Sequence, residues 1–334
     1  MVPVRISFTG GGTDMPEYFE KYGGSVISSS INQFTYVLIK PRLDNLFQAF
    51  STDLEIHQSK ISYEKLKSIA GTEIVVSVLK YLKYDHGADF LICSDVPAGS
   101  GLGASSSLTV NIVNTIQFLM KKKISKQKIA ETAFHIERNL LKHPIGKQDD
   151  YISSFGGFNR IDFNKNSVKV TPINIKKRTL LELEQNLLLF FVGTTRNSST
   201  ILSNQLSRTS KMNNQTISSL HTAKELSDEM YSSLKKSDIT NFGELLHKGW
   251  ITKQKFAKGV SNSKLDSIYK SAMSSGALGG KLTGAGGGGH FLFYCEKPKQ
   301  KSLIKKMEHL GLNHVKFNFH KEGPKVLNLY DFSN

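Results

Sequence analysis

Cysteine is nearly absent from the sequence, which contains only Cys93 and Cys295 among 334 residues. Two cysteines far apart in the chain cannot build the disulfide framework of a small secreted domain or a cysteine-rich metal site. Each lies in an apolar run typical of a strand. We therefore expect two buried free thiols in a reducing compartment.

Long apolar runs are also missing. The longest, LLLFFV, covers only Leu187–Val192, far short of the roughly 18 residues that a membrane-spanning helix needs. The first twenty residues include Arg5, Asp14 and three consecutive glycines, which is not the pattern of a secretory signal. These features predict a cytoplasmic protein without a membrane partner.

Arginine is scarce although the chain is basic, with a net charge of +16 at pH 7. Only seven of its 44 basic residues are arginines, and arginine is the residue that makes planar, bidentate contacts to bases and phosphates. The lysines are scattered, with no interleaved aromatic residues on which bases could stack. The excess of lysine thus indicates solvated surface, and a nucleic-acid partner is disfavoured.

The hydrophobic patterns predict an α+β chain. Strands are predicted over 2–8, 25–31, 34–40, 88–94, 290–296, 314–319 and 325–330, and helices over 63–83, 103–120, 126–141, much of 197–275 and 299–311. The second and third strands are separated by only two residues, and the strands of this first part of the chain predict an antiparallel sheet. A polar, turn-rich segment between 165 and 187 predicts domains of residues 1–175 and 176–334.

The stretch PAGSGLGASSS begins at Pro97, between a predicted strand and a predicted helix. Gly99, Gly101 and Gly103 would let backbone amides turn toward a phosphate, and the dipole of the following helix would favour its charge. Three serines open that helix, where a hydroxyl is useful chiefly if it has a partner. Since a helix cap alone needs fewer glycines and serines, we interpret the stretch as a phosphate-binding loop. It matches neither a P-loop nor a dinucleotide-binding turn.

The same stretch resembles the phosphate-binding signature of the GHMP kinase superfamily, in which Gly-Leu-Gly is usually followed by Ser-Ser-Ala. Here Ala104 replaces the first of those serines. The segments VRISFTGGGTD (4–14) and GGKLTGAGGGG (279–289) are similar to the first and third motifs of that superfamily. The resemblance implies a two-domain GHMP kinase fold, with an N-terminal α/β domain like ribosomal protein S5 and a C-terminal ferredoxin-like α+β domain.

That resemblance also implies ATP and Mg²⁺ as cofactors. The residues that it places against the nucleotide are Pro97, Gly99, Ser100, Gly101, Leu102, Gly103, Ala104, Ser105 and Ser106.

A second segment, IERNLLKHPIGKQDDYISSFGG, resembles the part of galactokinase-like members that contains a metal-binding glutamate and a catalytic aspartate. Carried over, Ser105 and Glu137 hold Mg²⁺ and Asp149 faces the acceptor hydroxyl. Asp150 is a rival, because the family commonly has Asp-Gln or Asp-Asn here. For Glu137 the alternative is a solvated helix charge paired with a lysine one turn away.

Arg5 lies in the first predicted strand, where a charged side chain needs partners. The family places a basic residue there, against the transferring phosphoryl group or the catalytic aspartate. We therefore expect Arg5 and Asp149 to be catalytic.

The acceptor is predicted to be a sugar. Asp14 follows three glycines and is suited to accept hydrogen bonds from sugar hydroxyls, which favours a polyol over an isoprenoid acid. Within the superfamily, the segments PIGKQDDYISSFGGFN and TTRNSSTIL are most similar to kinases of D-glycero-D-manno-heptose 7-phosphate. Those enzymes phosphorylate the anomeric hydroxyl to give the 1,7-bisphosphate, for nucleotide-heptose and bacterial surface polysaccharide synthesis.

A phosphorylated sugar requires a second anion site. Arg196, with Ser198, is the main candidate, and a surface arginine at a helix start is the equal alternative. The full set of expected substrate residues is Gly11, Gly12, Thr13, Asp14, Lys147, Arg196, Ser198, Lys281, Gly286 and Gly287.

Three other functions stay open. The first is an anomeric kinase of an unphosphorylated sugar such as fucose or galactose. The others are a non-catalytic sugar or nucleotide sensor and a basic RNA-binding module, and the presence of Ser105, Glu137 and Asp149 together argues against both. A homodimer is also left open, and His290, where the family often has an aromatic residue, has no interpretation from sequence.

Overall fold

A computed structural model describes residues 1–52, 56–66, 71–193 and 198–328, without the side chains of 56–60. Its strands are β1 (Val2–Thr9), β2 (Gly24–Pro41), β3 (Leu46–Ser51), β4 (Ile56–Ser62), β5 (Ala88–Ser94), β6 (Phe158–Asn164), β7 (Ser167–Pro172), β8 (Leu187–Gly193), β9 (Gly279–Leu282), β10 (Gly289–Tyr294) and β11 (Asn313–Val315). Its α-helices are α1 (Pro16–Tyr22), α2 (Glu73–Leu82), α3 (Ala104–Leu119), α4 (Lys126–Phe134), α5 (Gln148–Phe155), α6 (Lys177–Asn186), α7 (Ser198–Ser210), α8 (Asn214–Lys235), α9 (Ile239–Lys253), α10 (Ser263–Ser274) and α11 (Lys297–His309).

The strands form two sheets. In the larger, seven-stranded sheet, β4, β3, β5, β2, β6 and β7 are neighbours in that order, and β1 also pairs with β2. The β3–β5 pair is parallel and its other pairs are antiparallel. The second sheet is antiparallel, with the order β11, β8, β10, β9. The α+β class predicted from the sequence is therefore confirmed.

The antiparallel sheet predicted for the first strands is confirmed, but the strands predicted over 25–31 and 34–40 are one continuous strand, β2, of 18 residues. Its first part pairs with β6, its middle with β1 and its last part with β5. A two-residue hairpin turn favours pairs such as Asn-Gly, which adopt positive φ angles. Asn32 and Gln33 do not provide such a turn, so the chain stays extended and pairs with strands from elsewhere in the sequence.

Two other elements differ from expectation. The helix predicted over 63–83 is a short 3₁₀ turn at Tyr63–Lys65 followed by α2, which begins at Glu73. No strand forms over the described part of 325–330. The helix predicted over 126–141 is α4, which continues into a π-helical turn at His135–Leu140.

The core spans both halves of the chain. Phe8 of β1 stacks on Phe158 of β6, with ring centroids 5.0 Å apart, and meets the edge of Phe242 of α9 at 5.2 Å. The same buried cluster includes Leu189 of β8 and Leu292 of β10. Both predicted domains therefore pack on a shared core, and the boundary between them remains a prediction.

Neither cysteine forms a disulfide, and only Cys295 is buried. Cys93 is half-buried, on the same side of β5 as the exposed Leu91, so the expectation of two buried thiols is wrong for Cys93. Among the described residues, no helix has both the length and the apolarity needed to span a membrane.

Candidate active site

An ion pair between Arg5 of β1 and Asp149 of α5 lies at the centre of the site. Arg5 Nε donates to Asp149 Oδ1 at 2.7 Å and Nη2 donates to Oδ2 at 2.5 Å, while Nη1 donates to the carbonyl of Gly101 at 2.7 Å. The Arg5 side chain is 4% exposed and that of Asp149 is 22% exposed. This bidentate geometry orients the carboxylate and leaves part of it accessible to a ligand.

The predicted phosphate loop passes directly beside this ion pair. Gly99, Gly101 and Gly103 have φ angles of 72°, 79° and 79°, a left-handed conformation that side chains rarely adopt. Gly103 caps α3, and a Cβ on it would lie 3.2 Å from Asp149 Oδ2. The loop therefore brings the N-terminus of α3, where the helix dipole favours an anion, next to Arg5 and Asp149.

The other residues predicted to bind nucleotide lie in or just after this loop. The Pro97 carbonyl accepts a hydrogen bond from the Ser100 backbone at 3.2 Å. The side chain of Leu102 is buried in the core, Ala104 begins α3, and Ser106 is buried in its first turn. Their roles toward a nucleotide remain predictions.

The third glycine motif, residues 279–289, packs directly against the phosphate loop. A Cβ on Gly284 would lie 2.5 Å from Gly101 Cα, and one on Gly289 would lie 2.6 Å from the Ser100 carbonyl. His290, which the sequence left without an interpretation, contacts the same carbonyl through Nδ1 at 2.8 Å. Because burial lowers the pKa of His290, its ring is neutral, and Nδ1 must donate the proton to this acceptor.

Ser105 and Glu137 meet as the resemblance implies. Ser105 Oγ donates to Glu137 Oε1 at 2.6 Å, and the π-helical turn at His135–Leu140 contains the fully buried Glu137. Its second oxygen, Oε2, accepts no hydrogen bond from an N–H or hydroxyl group of the described residues, and the carboxyl group of Asp150 is its close neighbour. A fully buried carboxylate bound by Ser105 is therefore not the solvated helix charge considered above.

This pair fits a magnesium ion. The described residues contain no cluster of three or more His, Cys, Asp or Glu able to hold a metal alone. Mg²⁺ commonly takes only one or two protein ligands and completes its octahedron with water and substrate phosphates. The Ser105 hydroxyl and the second oxygen of Glu137 lie at the N-terminal turn of α3, where such phosphates are expected.

Asp150 follows Asp149 in α5 and is fully buried. Its carboxyl group lies within hydrogen-bond reach of Glu137, a contact that needs a proton on one of the two carboxyl groups. Burial raises its pKa well above the usual range, and the nearby charges of Glu137 and Asp149 raise it further. Only Asp149 of the two lines the cavity described next.

A cavity lies beside the ion pair. Its polar and charged lining residues are Arg5, Ser7, Thr9, Asp14, Gln148, Asp149, Gln205, Lys253 and Lys281. Three of these side chains, Ser7 Oγ, Gln148 Oε1 and Gln205 Nε2, are buried without a hydrogen-bond partner among the described residues. Buried polar groups are costly unless paired. A ligand with several hydroxyl groups would satisfy them.

Asp14 connects the first motif to the first residue of α5 through hydrogen bonds. Its Oδ1 accepts from the Gly12 backbone at 2.8 Å and its Oδ2 from the Gln148 backbone at 3.2 Å. Burial raises the pKa of Asp14 to about 6, and the charge of Asp149 contributes. The carboxylate retains lone pairs for sugar hydroxyls.

The remaining predicted substrate residues divide into two groups. Gly11, Gly12 and Lys281 line the cavity with Asp14. The others do not: Thr13 Oγ1 donates to the Gly10 and Ser25 carbonyls, Lys147 Nζ lies over the rings of Phe19 and Phe134 at 5.1 and 5.4 Å, and Gly286 and Gly287 pack against Val260.

Thr13, Lys147, Gly286 and Gly287 thus contact the protein's own turns and rings and do not line the cavity, and their roles toward a substrate stay predictions. Ser198 begins α7 but does not line the cavity. Arg196 lies outside the described residues, so its role stays a prediction.

Five of the polar lining residues were missed from sequence: Ser7, Thr9, Gln148, Gln205 and Lys253. Ser7 and Thr9 lie within the first motif, VRISFTGGGTD. Gln148 precedes Asp149 in the recognised segment and could have been included on that ground. Lys253 and Gln205 lie in α9 and α7, which contain no motif. They reach the cavity only through tertiary packing, which no local sequence signal indicates.

Comparisons with known proteins agree with this arrangement. The chain matches the GHMP kinases N terminal domain over residues 73–157 and the GHMP kinases C terminal domain over residues 230–311. It is 32% identical to the D-glycero-alpha-D-manno-heptose 7-phosphate kinase of Campylobacter jejuni, covering 97% of this chain and 96% of that protein.

Two solved structures are also similar. One is a D-glycero-D-manno-heptose 1-phosphate kinase from Bacteroides thetaiotaomicron, with a TM-score of 0.81, 25% identity and 98% of each chain covered. The other is a putative sugar kinase from Campylobacter jejuni, with a TM-score of 0.78, 31% identity, and 96% of this chain and 95% of that chain covered. The chain belongs to the GHMP kinase family.

Proposed function

We propose that the chain transfers a phosphoryl group from ATP, with Mg²⁺, to the anomeric hydroxyl of D-glycero-D-manno-heptose 7-phosphate. The observation that supports this most directly is the cavity beside the phosphate loop, where a catalytic carboxylate, hydroxyl-binding groups and cationic side chains lie together. Full-length similarity to a heptose 7-phosphate kinase supports the choice of substrate.

The lining favours a sugar over other acceptors of the family. Mevalonate kinases also match, among them that of Pyrococcus horikoshii at 26% identity over 82% of this chain. The unpartnered Gln148 and Gln205 groups suit neutral hydroxyls.

The protein's own residues would act as follows. Asp149, held by two hydrogen bonds from Arg5, would align the anomeric hydroxyl and accept its proton as the new oxygen–phosphorus bond forms. Asp14 and Gln148 would orient the sugar ring through its other hydroxyls. The loop backbone and the N-terminus of α3 would bind the nucleotide phosphates.

Ser105 and Glu137 would hold the metal. Mg²⁺, when bound there, neutralises negative charge on the nucleotide phosphates. Arg5 has two tasks in this arrangement, since it orients Asp149 and binds the loop carbonyl of Gly101. Its positive charge also lies where the transferred group would pass.

An assay coupled to ADP release tests the function directly. Heptose 7-phosphate, the dephosphorylated heptose, L-fucose, galactose and mevalonate would be compared with ATP at saturating Mg²⁺. We expect kcat/KM to be highest for heptose 7-phosphate. A preference for free fucose would indicate the fucokinase alternative, in line with the 25% identity to an Arabidopsis thaliana bifunctional fucokinase. No ADP release with any acceptor would favour a non-catalytic sensor.

A further inference from the structure

Lys253, the last residue of α9, lines the cavity. Its Nζ donates to the carbonyl of Leu282 at 2.9 Å and to that of Gly284 at 2.5 Å. An ammonium group has three N–H donors, so one remains free for a ligand. None of the three glycine motifs includes this residue, and the family resemblance assigned it no role.

Two further cations face the same cavity. Lys281 Nζ donates to the Phe8 carbonyl at 2.9 Å, and Arg5 is paired with Asp149. Neither lysine forms an ion pair with any residue that the structure describes. Burial and the neighbouring positive charges lower the pKa of Lys253 to about 7 and that of Lys281 well below its usual range. A bound anion would compensate this concentration of positive charge.

The position of Lys253 indicates which anion it meets. Lys253 donates to the carbonyl of Gly284, and Gly284 packs against Gly101 of the phosphate loop. Arg5 donates to the carbonyl of Gly101. Lys253 and Arg5 are therefore both connected to the loop at Gly101. Asp149, which would face the acceptor hydroxyl, lines the same cavity as Lys253 and is bound by Arg5, so the ammonium group shares one cavity with the groups expected to react.

We propose that Lys253 is a catalytic residue that contacts the phosphoryl group during its transfer from nucleotide to sugar. The inference rests on the proposed function. In this step the acceptor oxygen bonds to phosphorus, the bond from phosphorus to the leaving oxygen of ADP breaks, and the acceptor proton passes to Asp149. Lys253 donates its third N–H to a non-bridging oxygen and keeps its proton throughout.

Kinetics of Lys253→Met, with Lys248→Met as control, test the proposal. Lys248 lies on the same helix, is exposed and does not line the cavity. We expect Lys253→Met to lower kcat on the order of 10²-fold, as loss of one transition-state donor does, and to leave both KM values within about threefold. Lys253→Arg should recover part of kcat, and Lys248→Met should match the wild type. Unchanged kcat in Lys253→Met would overturn the proposal.

A binding measurement separates catalysis from support of the loop. ADP, Mg²⁺ and aluminium fluoride with the sugar mimic the group in transfer, and their affinity should fall about as much as kcat in Lys253→Met. Affinity for ADP and sugar without fluoride should be unchanged. If ADP affinity falls equally, Lys253 only supports the loop and the proposal is wrong.

The sugar's own phosphate is the other source of the same chemistry. If Lys253→Met raises KM for heptose 7-phosphate alone, and not for the dephosphorylated heptose, the lysine binds that phosphate and the proposal is overturned. The comparison uses whichever sugar the wild type phosphorylates. A wild type that prefers another sugar would contradict the proposed substrate and leave the test of Lys253 intact.

Discussion

Three carboxyl groups near the phosphate loop have different surroundings, and these surroundings suggest different roles. Asp149 is partly exposed and held by Arg5, so its charge is available to a ligand. Glu137 is buried with one oxygen bound by Ser105 and the other close to the carboxyl group of Asp150. Asp150 is buried beside Glu137, and burial together with the neighbouring carboxyl groups raises its pKa strongly. Burial and hydrogen bonding therefore distinguish two neighbouring aspartates that the sequence alone could not rank by environment.

Exchanging each aspartate for asparagine tests this division. Asp149→Asn retains the shape but loses the charge that aligns or accepts the hydroxyl proton, so kcat should fall on the order of 10²- to 10⁴-fold. Asp150→Asn should cost much less, because Asp150 does not line the cavity in which the acceptor would bind. Steady-state kcat at saturating substrates measures both. The reverse order would assign the base to Asp150.

The metal ligands give a second prediction. Ser105→Ala and Glu137→Gln should weaken Mn²⁺ binding in the presence of ADP and raise the Mg²⁺ concentration needed for half-maximal activity, since each removes an oxygen ligand. Thr115→Ala, on the same helix, removes a hydroxyl that contacts Asn111 within α3 and should change neither value. Electron paramagnetic resonance of Mn²⁺ gives the affinity. Unaltered affinity in both site variants would remove these residues from the metal site.

Asp14 predicts a dependence on pH. Its pKa is raised from 3.8 to about 6, so the carboxylate that orients the sugar is lost below that pH. We expect kcat/KM for the sugar to fall as the pH drops through about 6. The free energy of unfolding changes with pH in the opposite direction. Because the pKa of Asp14 is raised in the folded state, the folded state binds this proton more tightly than the unfolded state does. Asp14 therefore contributes stability below pH 4, and this contribution is lost as the pH rises through 6.

The Asp14→Asn variant isolates this effect on stability. The free energy of unfolding of the variant relative to the wild type should increase by up to about 3 kcal/mol between pH 4 and pH 7, because only the wild type ionises a buried group there. Thermal or urea unfolding at several pH values measures the difference. A difference independent of pH would show that the pKa of Asp14 is not raised.

At the scale of elements, local sequence signals were sufficient to predict the phosphate loop, but they did not predict how the strands and helices pack around it. The glycines from Gly99 to Gly103 and the helix after them were predictable because turns and caps depend on neighbouring residues. The continuous β2 was not, since strand pairing is decided by distant segments. Lys253 and His290 were missed as functional residues for the same reason: they reach the site through packing of α9 and β10.

The contact between the two glycine motifs can be tested by adding one methyl group. Gly284→Ala places a Cβ 2.5 Å from Gly101 Cα and should displace the phosphate loop, raising KM for ATP at least several-fold. Gly311→Ala is the matched control, because Gly311 also has a positive φ but nothing within 4 Å of its Cβ position. Both variants have backbone strain of order 1 kcal/mol. Equal KM values for ATP in the two variants would contradict the inference that the contact between Gly284 and Gly101 holds the phosphate loop in position.

For the whole molecule, the shared core places the active site between parts of the chain that are distant in sequence. β1 contains Arg5 and also Phe8, which packs against Phe158 and Phe242 in that core. α9 contains Phe242 and also Lys253. The same two elements therefore hold the halves together and contribute cations to the cavity, which the predicted boundary between 165 and 187 does not indicate.

This arrangement predicts a single unfolding transition. Phe242→Ala should destabilise the protein by about 3–5 kcal/mol, because it leaves a cavity among buried rings from both halves. If the core is shared, calorimetry should show one transition that moves as a whole to lower temperature. Ile251→Ala, at a 40% exposed position on the same helix, should shift it far less. Two separated transitions, with only the later one moved by Phe242→Ala, would mean that each half folds on its own core and that the cavity lies between independent domains.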